Sequence, residues 1–248
     1  MSFEKLEDRG IKTDSRFLRW LDNYWYHYKW RTIVIAFFLI VFLICTVQMC
    51  SREEADITVM YAGSYQMTGE ETANLSRILS DKLPCDYDKN GEKSVEIVSY
   101  HIYSEEQIKQ IESQTDSEGV VGSVNRNLNS TNYQNYLTYI QTGDVAICLV
   151  DPWLYESLLD ADRLMKLSEA LPSSSEVDRD AYGIRLGDTA LYEQYGSVRV
   201  LPADTVLVFL RAPVAGKMSK EKYYAREKEM LTELIPLGKV KDAQGNDE

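Results

Sequence analysis

The sequence predicts an α/β domain, a three-layer sandwich built on a mostly parallel sheet, preceded by one transmembrane α-helix. Three observations carry this expectation. Residues 32–51 form an apolar run without a charged side chain. Short runs rich in β-branched residues recur at 56–62, 94–101, 144–150 and 205–211. Helical patterns with caps fill the intervals between them, and that alternation is the pattern of βαβ units around a mainly parallel sheet.

The apolar run TIVIAFFLIVFLICTVQMCS holds 20 residues. At about 1.5 Å rise per residue it reaches roughly 30 Å, the depth of a bilayer's hydrocarbon core. Arg16, Arg19, Lys29 and Arg31 precede it, whereas Arg52 is followed at once by Glu53, Glu54 and Asp56. The positive-inside rule places the N-terminus in the cytoplasm and the rest of the chain outside it. Ahead of the span, RFLRWLDNYWYHYKWR sets Phe17, Trp20, Leu21, Tyr24 and Tyr28 at helical spacing. Amphipathic rings beside cations suit the head-group layer, so an interfacial helix is expected to lead into the span. A cleaved signal is not expected, because the stretch before the run is long and no small-x-small site follows it. Val47, Gln48 and Met49 before Cys50 also argue against a lipidated cysteine.

The expected organisation is therefore a cytoplasmic segment over 1–31, the span over 32–51, an extracytoplasmic α/β domain over 52–235 and a polar tail over 236–248. In the outer domain, Thr68 reads as a helix N-cap with Glu70 and Glu71 in the first turn, and Pro84 closes that helix. DYDKNG at 86–91 reads as a turn. Ser104 caps a helix over 105–113, and 116–130 reads as a loop rich in Gly, Ser and Asn. A short helix over 131–141 ends at Gly143. Asp151-Pro152 opens a helix with proline at its favoured first position. A polar loop at 172–180, a short helix at 189–195 and a Lys/Glu-rich amphipathic helix at 219–235 complete the reading.

Charge narrows the partners. Residues 1–31 carry seven Lys/Arg and five Asp/Glu, a net of +2, and the whole chain is −12, so the remainder is −14. A domain this acidic repels phosphate backbones, and no nucleic-acid partner is expected. Of Cys45, Cys50, Cys85 and Cys148, only the last two form a pair that could bridge outside the membrane; Cys148 also fits a buried strand thiol. His27 and His101 are far apart, and no Cys/His spacing suggests zinc, so no metal and no cofactor are expected. GxSxG, Walker, GxGxxG and HExxH signatures are all missing, which argues against an enzyme; a carboxylate-based envelope hydrolase is the catalytic alternative.

Binding is the better-supported class. Ligands of open α/β sheets sit beyond the carboxyl ends of the strands. The residues placed there are Ser64 and Tyr65 after the first strand, Tyr103 and Ser104 after the second, and Asp151 and Trp153 after the third. Hydroxyls, aromatic faces and one carboxylate suit a small polar solute. The same residues also read as ordinary caps and packing groups: Ser104 and Asp151 as N-caps, Trp153 and Tyr155 as packed aromatics.

The stretch YIQTGDVAICLVDPWLYESLLDADRLMKLSEALP resembles extracellular solute-binding proteins of bacterial ABC uptake systems. In that family a helix ends in Gly-Asp and is followed by a strand, a helix and a Leu-x-x-Leu run, here near Leu164 to Leu167. The opening strand with Gly63-Ser64, and YGIRLGDTALYEQYG before a strand, are similar to it as well. The resemblance covers roughly 56–213 and corresponds to one lobe of a protein that normally has two. It implies the fold and a non-catalytic binding role, with a small polar solute or a membrane-complex partner. The alternative is a scaffolding or assembly subunit of a cell-envelope complex. The aromatic lead-in loosely resembles anchor segments of small membrane proteins in Gram-positive bacteria.

Overall fold

A computed structural model describes residues 16–50, 55–114, 122–171 and 181–235. The chain divides into two units, Met1–Glu54 and Ala55–Glu248. The first is represented by one helix, α1 (Arg16–Cys50), so the aromatic lead-in and the apolar run form a single continuous rod. Its Tyr24–Val47 stretch contains an 18-residue window with a mean hydropathy of 2.5, none of it buried, a length and composition sufficient to cross a membrane.

The second unit is mixed α/β. Its elements are β1 (Ile57–Gly63), α2 (Gly69–Asp81), β2 (Val95–His101), α3 (Glu105–Ser113), α4 (Arg126–Thr142) and β3 (Ile147–Val150). Then follow α5 (Pro152–Asp160), α6 (Leu167–Ala170), β4 (Gly183–Arg185), α7 (Ala190–Gln194), β5 (Val206–Phe209) and α8 (Glu221–Leu234). The sheet order is β2-β1-β3-β5-β4. The β1 strand pairs in parallel with β2 and β3, while β5 runs antiparallel to both β3 and β4.

The alternation of side chains along each strand splits the core in two. Ile57, Val59 and Tyr61 of β1 join Ile147, Leu149, Leu207 and Phe209 under α2 and α8. Met60 and Ala62 join Cys148, Val150, Val206 and Val208 under α4 and α5. Every residue of β1 and β3 is buried, the continuous apolar pattern of strands covered on both faces. The path explains the covering. The chain steps from β1 outward to β2 and then back across β1 to β3. Two crossovers of the same hand in opposite directions leave their helices on opposite faces, as seen for α2 and α4.

Local chemistry sets the helix starts. Thr68 and Glu71 form a reciprocal capping box at α2, and Ser104 and Gln107 form another at α3. The fourth helix begins at Arg126, inside the segment expected to be a loop, because the Asn125 side chain accepts the Leu128 N–H and caps it. Its sequence, RNLNSTN, is too polar to be recognised by apolar periodicity. The three-residue strand β4 and the single turn of α6 were likewise not expected. Part of the expected 116–130 loop and all of the 172–180 loop and the 236–248 tail lie outside the described residues.

The structure decides between the two cysteine readings. Cys85 is an exposed free thiol and Cys148 a buried one, so they do not bridge. Burial, and next the Glu227 carboxylate, push the Cys148 thiol well up, leaving it an inert core group.

Helix α8 is held by a buried carboxyl group. Glu227 is 1% exposed, and its Oε2 accepts the N–H groups of Ala146 (2.6 Å) and Ile147 (3.0 Å) where β3 begins. Its Oε1 has no hydrogen-bond partner. Burial raises its pKa from 4.5 to about 8, although the two N–H groups and Lys217 pull the other way.

Candidate functional site

The strand order places a switch point between the carboxyl ends of β1 and β3, where the connections diverge. The chain itself fills it. Asp151, 3% exposed, stands at the N-cap position of α5 but makes no capping bond with its side chain. Its Oδ2 instead accepts the Ser64 N–H at 3.0 Å and the Gln107 Nε2–H at 3.3 Å. Beside it the Tyr61 hydroxyl accepts the Tyr65 N–H at 3.2 Å. Burial and then the Asp151 charge push the Tyr61 hydroxyl well above its ordinary range. A glycine is required between them: a Cβ on Gly63 would meet Asp151 Oδ1 at 2.2 Å and Tyr61 Oη at 2.7 Å. This network ties the ends of β1 and β3 to α3.

The open space lies one strand further out. A cavity of about 240 Å³ is bounded by Gln66, His101, Tyr103, Asn125, Asn129 and Asn132, with Ile111 and Leu128 as apolar walls. His101 ends β2, and its Nε2 lies 3.0 Å from the Ser64 carbonyl oxygen. A carbonyl only accepts, so Nε2 carries a proton in this contact. The ring packs edge-on to Tyr103 at 4.6 Å. Asn129 clasps the Tyr103 backbone from both sides, its Oδ1 accepting the N–H at 2.8 Å and its Nδ2 donating to the carbonyl at 3.1 Å. Asn132 Nδ2 donates to the His101 carbonyl at 2.9 Å. Asn125, Leu128, Asn129 and Asn132 follow helical spacing and form one face of α4. Arg126 steadies this helix end through Glu105 (3.2 Å) and Glu112 (2.9 Å) of α3.

The residues named from the sequence take distinct places. Tyr103 lines the cavity. Ser104 caps α3. Ser64 is held by Asp151 through its N–H and meets His101 through its carbonyl. The Tyr65 hydroxyl donates to Glu71 Oε1 at 2.7 Å. That bond raises the Tyr65 pKa, while the Thr68 N–H is the main cause holding Glu71 below the usual carboxylate range. Trp153 tilts against Tyr133 of α4 at 6.1 Å, its Nε1 buried without a partner. The cavity residues not singled out from the sequence are His101, Asn125, Asn129 and Asn132. Their signal was an Asn at 125, 129 and 132, helical spacing inside a stretch whose composition reads as loop.

Asp56, Asp86 and Asp88 bring carboxylate oxygens within 4.8 Å of one another. Asp86, Asp88, Asn90 and Gly91 have the D-x-D-x-N-G spacing of the first half of a calcium loop, a signal present in the sequence. The position where such a loop needs its bidentate Glu is Ile97. All three carboxylates already accept backbone N–H groups of the turn. Asp56 takes those of Tyr87, Asp88 and Ser94; Asp86 takes those of Lys89 and Gly91; Asp88 takes that of Asn90. The cluster therefore closes the turn after α2 and pins it to the start of β1.

No protein-family model, curated protein or solved structure matches the chain.

Proposed function

We propose that the protein is a membrane-anchored, non-catalytic binding domain that takes a small uncharged polar solute in the cavity beside His101. In this reading α1 spans the bilayer with the N-terminal segment in the cytoplasm, and the α/β domain lies outside as a three-layer sandwich. The cavity is the observation that carries the proposal: it is concave, lies at the carboxyl ends of the strands, and mixes apolar walls with convergent amides, a hydroxyl and an imidazole. Among the described residues no carboxylate, ammonium or guanidinium lines it, which favours a sugar, polyol or amide over an ion. Among the described lining residues the imidazole has a hydroxyl for company, Ser123, but no carboxylate to orient it, which favours binding over hydrolysis. The likeness of residues 56–213 to one lobe of a solute-binding protein supports the same class. The single lobe leaves room for a partner in a membrane complex to cover the ligand.

Full-length protein in detergent should melt higher with neutral sugars, polyols or peptide amides present. A ligand at a hundredfold its Kd stabilises by about 2.7 kcal/mol. Tyr103→Phe removes a hydroxyl that bonds to nothing else among the described residues, so it should reduce that shift without altering the unliganded melting temperature. Absence of a shift with every compound defeats the solute reading. The topology is checked separately: protease added to intact spheroplasts should remove the domain, and a protected domain reverses the orientation.

A further inference from the structure

One part of this acidic chain is cationic. Lys217, Lys220 and Lys222 place their ammonium groups 5.4, 5.8 and 5.8 Å from the Tyr223 ring centroid, and the Arg226 guanidinium lies 5.3 Å from it. Arg226 also stacks over Tyr87 at 4.9 Å. Between Lys217 and Arg226 the only carboxylate in the sequence is Glu221. The ion pairs found among the described residues are Arg126–Glu105, Arg126–Glu112 and Arg211–Asp162, none of which uses these four cations. Lys217 acts on the buried Glu227 carboxyl group, and the other nearby carboxylates are held by their own donors. Glu229 accepts the Tyr87 hydroxyl at 2.7 Å, and Asp86 and Asp88 accept N–H groups of their own turn. Four cations gathered on two aromatic rings, in a domain of opposite net charge, make a surface that calls for an external anion.

The position of this surface selects the anion. Asp56, just before β1, accepts the Tyr87 N–H at 2.9 Å, and Tyr87 is the ring under Arg226. Met218 N–H donates to the Gly143 carbonyl at 2.8 Å, just before β3. The patch thus lies at the amino ends of the parallel strands, where the chain enters the domain, and the His101 cavity lies at the opposite, carboxyl end. Six residues separate Cys50 from Ile57 in the sequence, a span of about 20 Å when extended. A domain on so short a lead works at the bilayer surface.

We infer that the face formed by Lys217, Lys220, Lys222 and Arg226 docks on anionic lipid head groups, turning the cavity away from the bilayer. The ammonium and guanidinium groups pair with lipid phosphates, and the half-buried Tyr223 ring sits at the head-group level. This inference rests on the reading of α1 as a membrane span.

The test uses the full chain in nanodiscs of phosphatidylcholine, alone or mixed with phosphatidylglycerol, one copy per disc. Lysine acylation is followed by mass spectrometry. Lys217, Lys220 and Lys222 should react about three- to tenfold more slowly in the anionic discs than in the neutral ones, and high salt should erase the difference. Lys109 on α3 should react alike in both. The K217E/K220E variant should lose protection at Lys222 in anionic discs while keeping its circular dichroism. Equal rates in the two lipids overturn the docking, as does protection that appears only when two copies share a disc. A chain that does not enter discs of either kind defeats the membrane reading instead.

Discussion

Replacing Glu227 by Gln should raise the melting temperature by on the order of 10 °C near pH 9 and change it little near pH 5. The direction follows from where the proton sits. Burial raises the pKa of this carboxyl group from 4.5 to about 8, so across that interval the native domain keeps a proton that the unfolded chain has released. Stability therefore falls as pH rises through the interval, by about 1.4 kcal/mol per unit and on the order of 5 kcal/mol in all. It is fully present below pH 4.5 and is lost by about pH 8. Glutamine keeps a carbonyl oxygen for the Ala146 and Ile147 N–H groups and carries no charge at any pH. The groups facing Glu227 do not reproduce the effect. The Cys148 thiol is pushed well up by burial, and burial likewise raises Tyr224 and Tyr139 to about 12. Lys217 is the cation that partly offsets the burial. Melting curves of both proteins between about pH 5 and pH 9 decide the matter: parallel curves would sink the assignment. Glu227→Ala, which removes the acceptor, should destabilise by about 2–4 kcal/mol near pH 5 and lose that penalty near pH 9, where the ionised carboxylate it replaces is itself costly.

Gly63→Ala should cost about 3–4 kcal/mol, an effect of crowding rather than of helix or strand propensity. The new methyl group would stand 2.2 Å from Asp151 Oδ1 and 2.7 Å from Tyr61 Oη. Neither atom is the loose end of a surface chain. Asp151 is clamped by the Ser64 and Gln107 donors, and Tyr61 is fully buried. Relief requires the carboxylate to swing away, which strands the Ser64 N–H. The two residues should therefore couple. Asp151→Ala alone should cost about 2 kcal/mol, and in that background Gly63→Ala should cost about 1–2 kcal/mol, since the Tyr61 hydroxyl still crowds the new methyl group. Urea denaturation of the four proteins in the cycle measures the coupling, and additive costs would refute the described contact. The His101 cavity should feel the same change, because Ser64 also meets His101 through its carbonyl.

These two positions differ in how readable they were. A glycine after a buried strand marks a turn or a close approach, so Gly63 was visible as a strand end. Glu227 lies in EKYYAREKEM, where charged residues alternate around the helix and a buried carboxylate looks like its exposed neighbours. Its role depends on two N–H groups 81 and 80 residues away. The site shows the same division. Ser104 was readable as a cap because a capping box needs only residues three apart. Asp151 was also readable as a cap, yet its side chain turns to Ser64, 87 residues earlier, which no local pattern reports. The His101 cavity needed α4 to start at Arg126, and that start rests on a single Asn cap in a polar stretch.

Local sequence patterns establish the apolar helix, the four strands β1, β2, β3 and β5, the capped helices α2 and α3, and the imbalance of charge. Each of these follows from chemistry within a few residues: the length of an apolar run, β-branching, or a side chain reaching a nearby N–H. The tertiary structure alone decided that β5 runs antiparallel to β3, because a fully buried strand reads the same in either direction. It alone decided that Asp151 closes the switch point while His101 and three asparagines border open space. It alone gathered four cations of an acidic chain onto two tyrosine rings. Those outcomes depend on which backbone groups and side chains meet across long stretches of chain, and packing sets them once both faces of the sheet are covered.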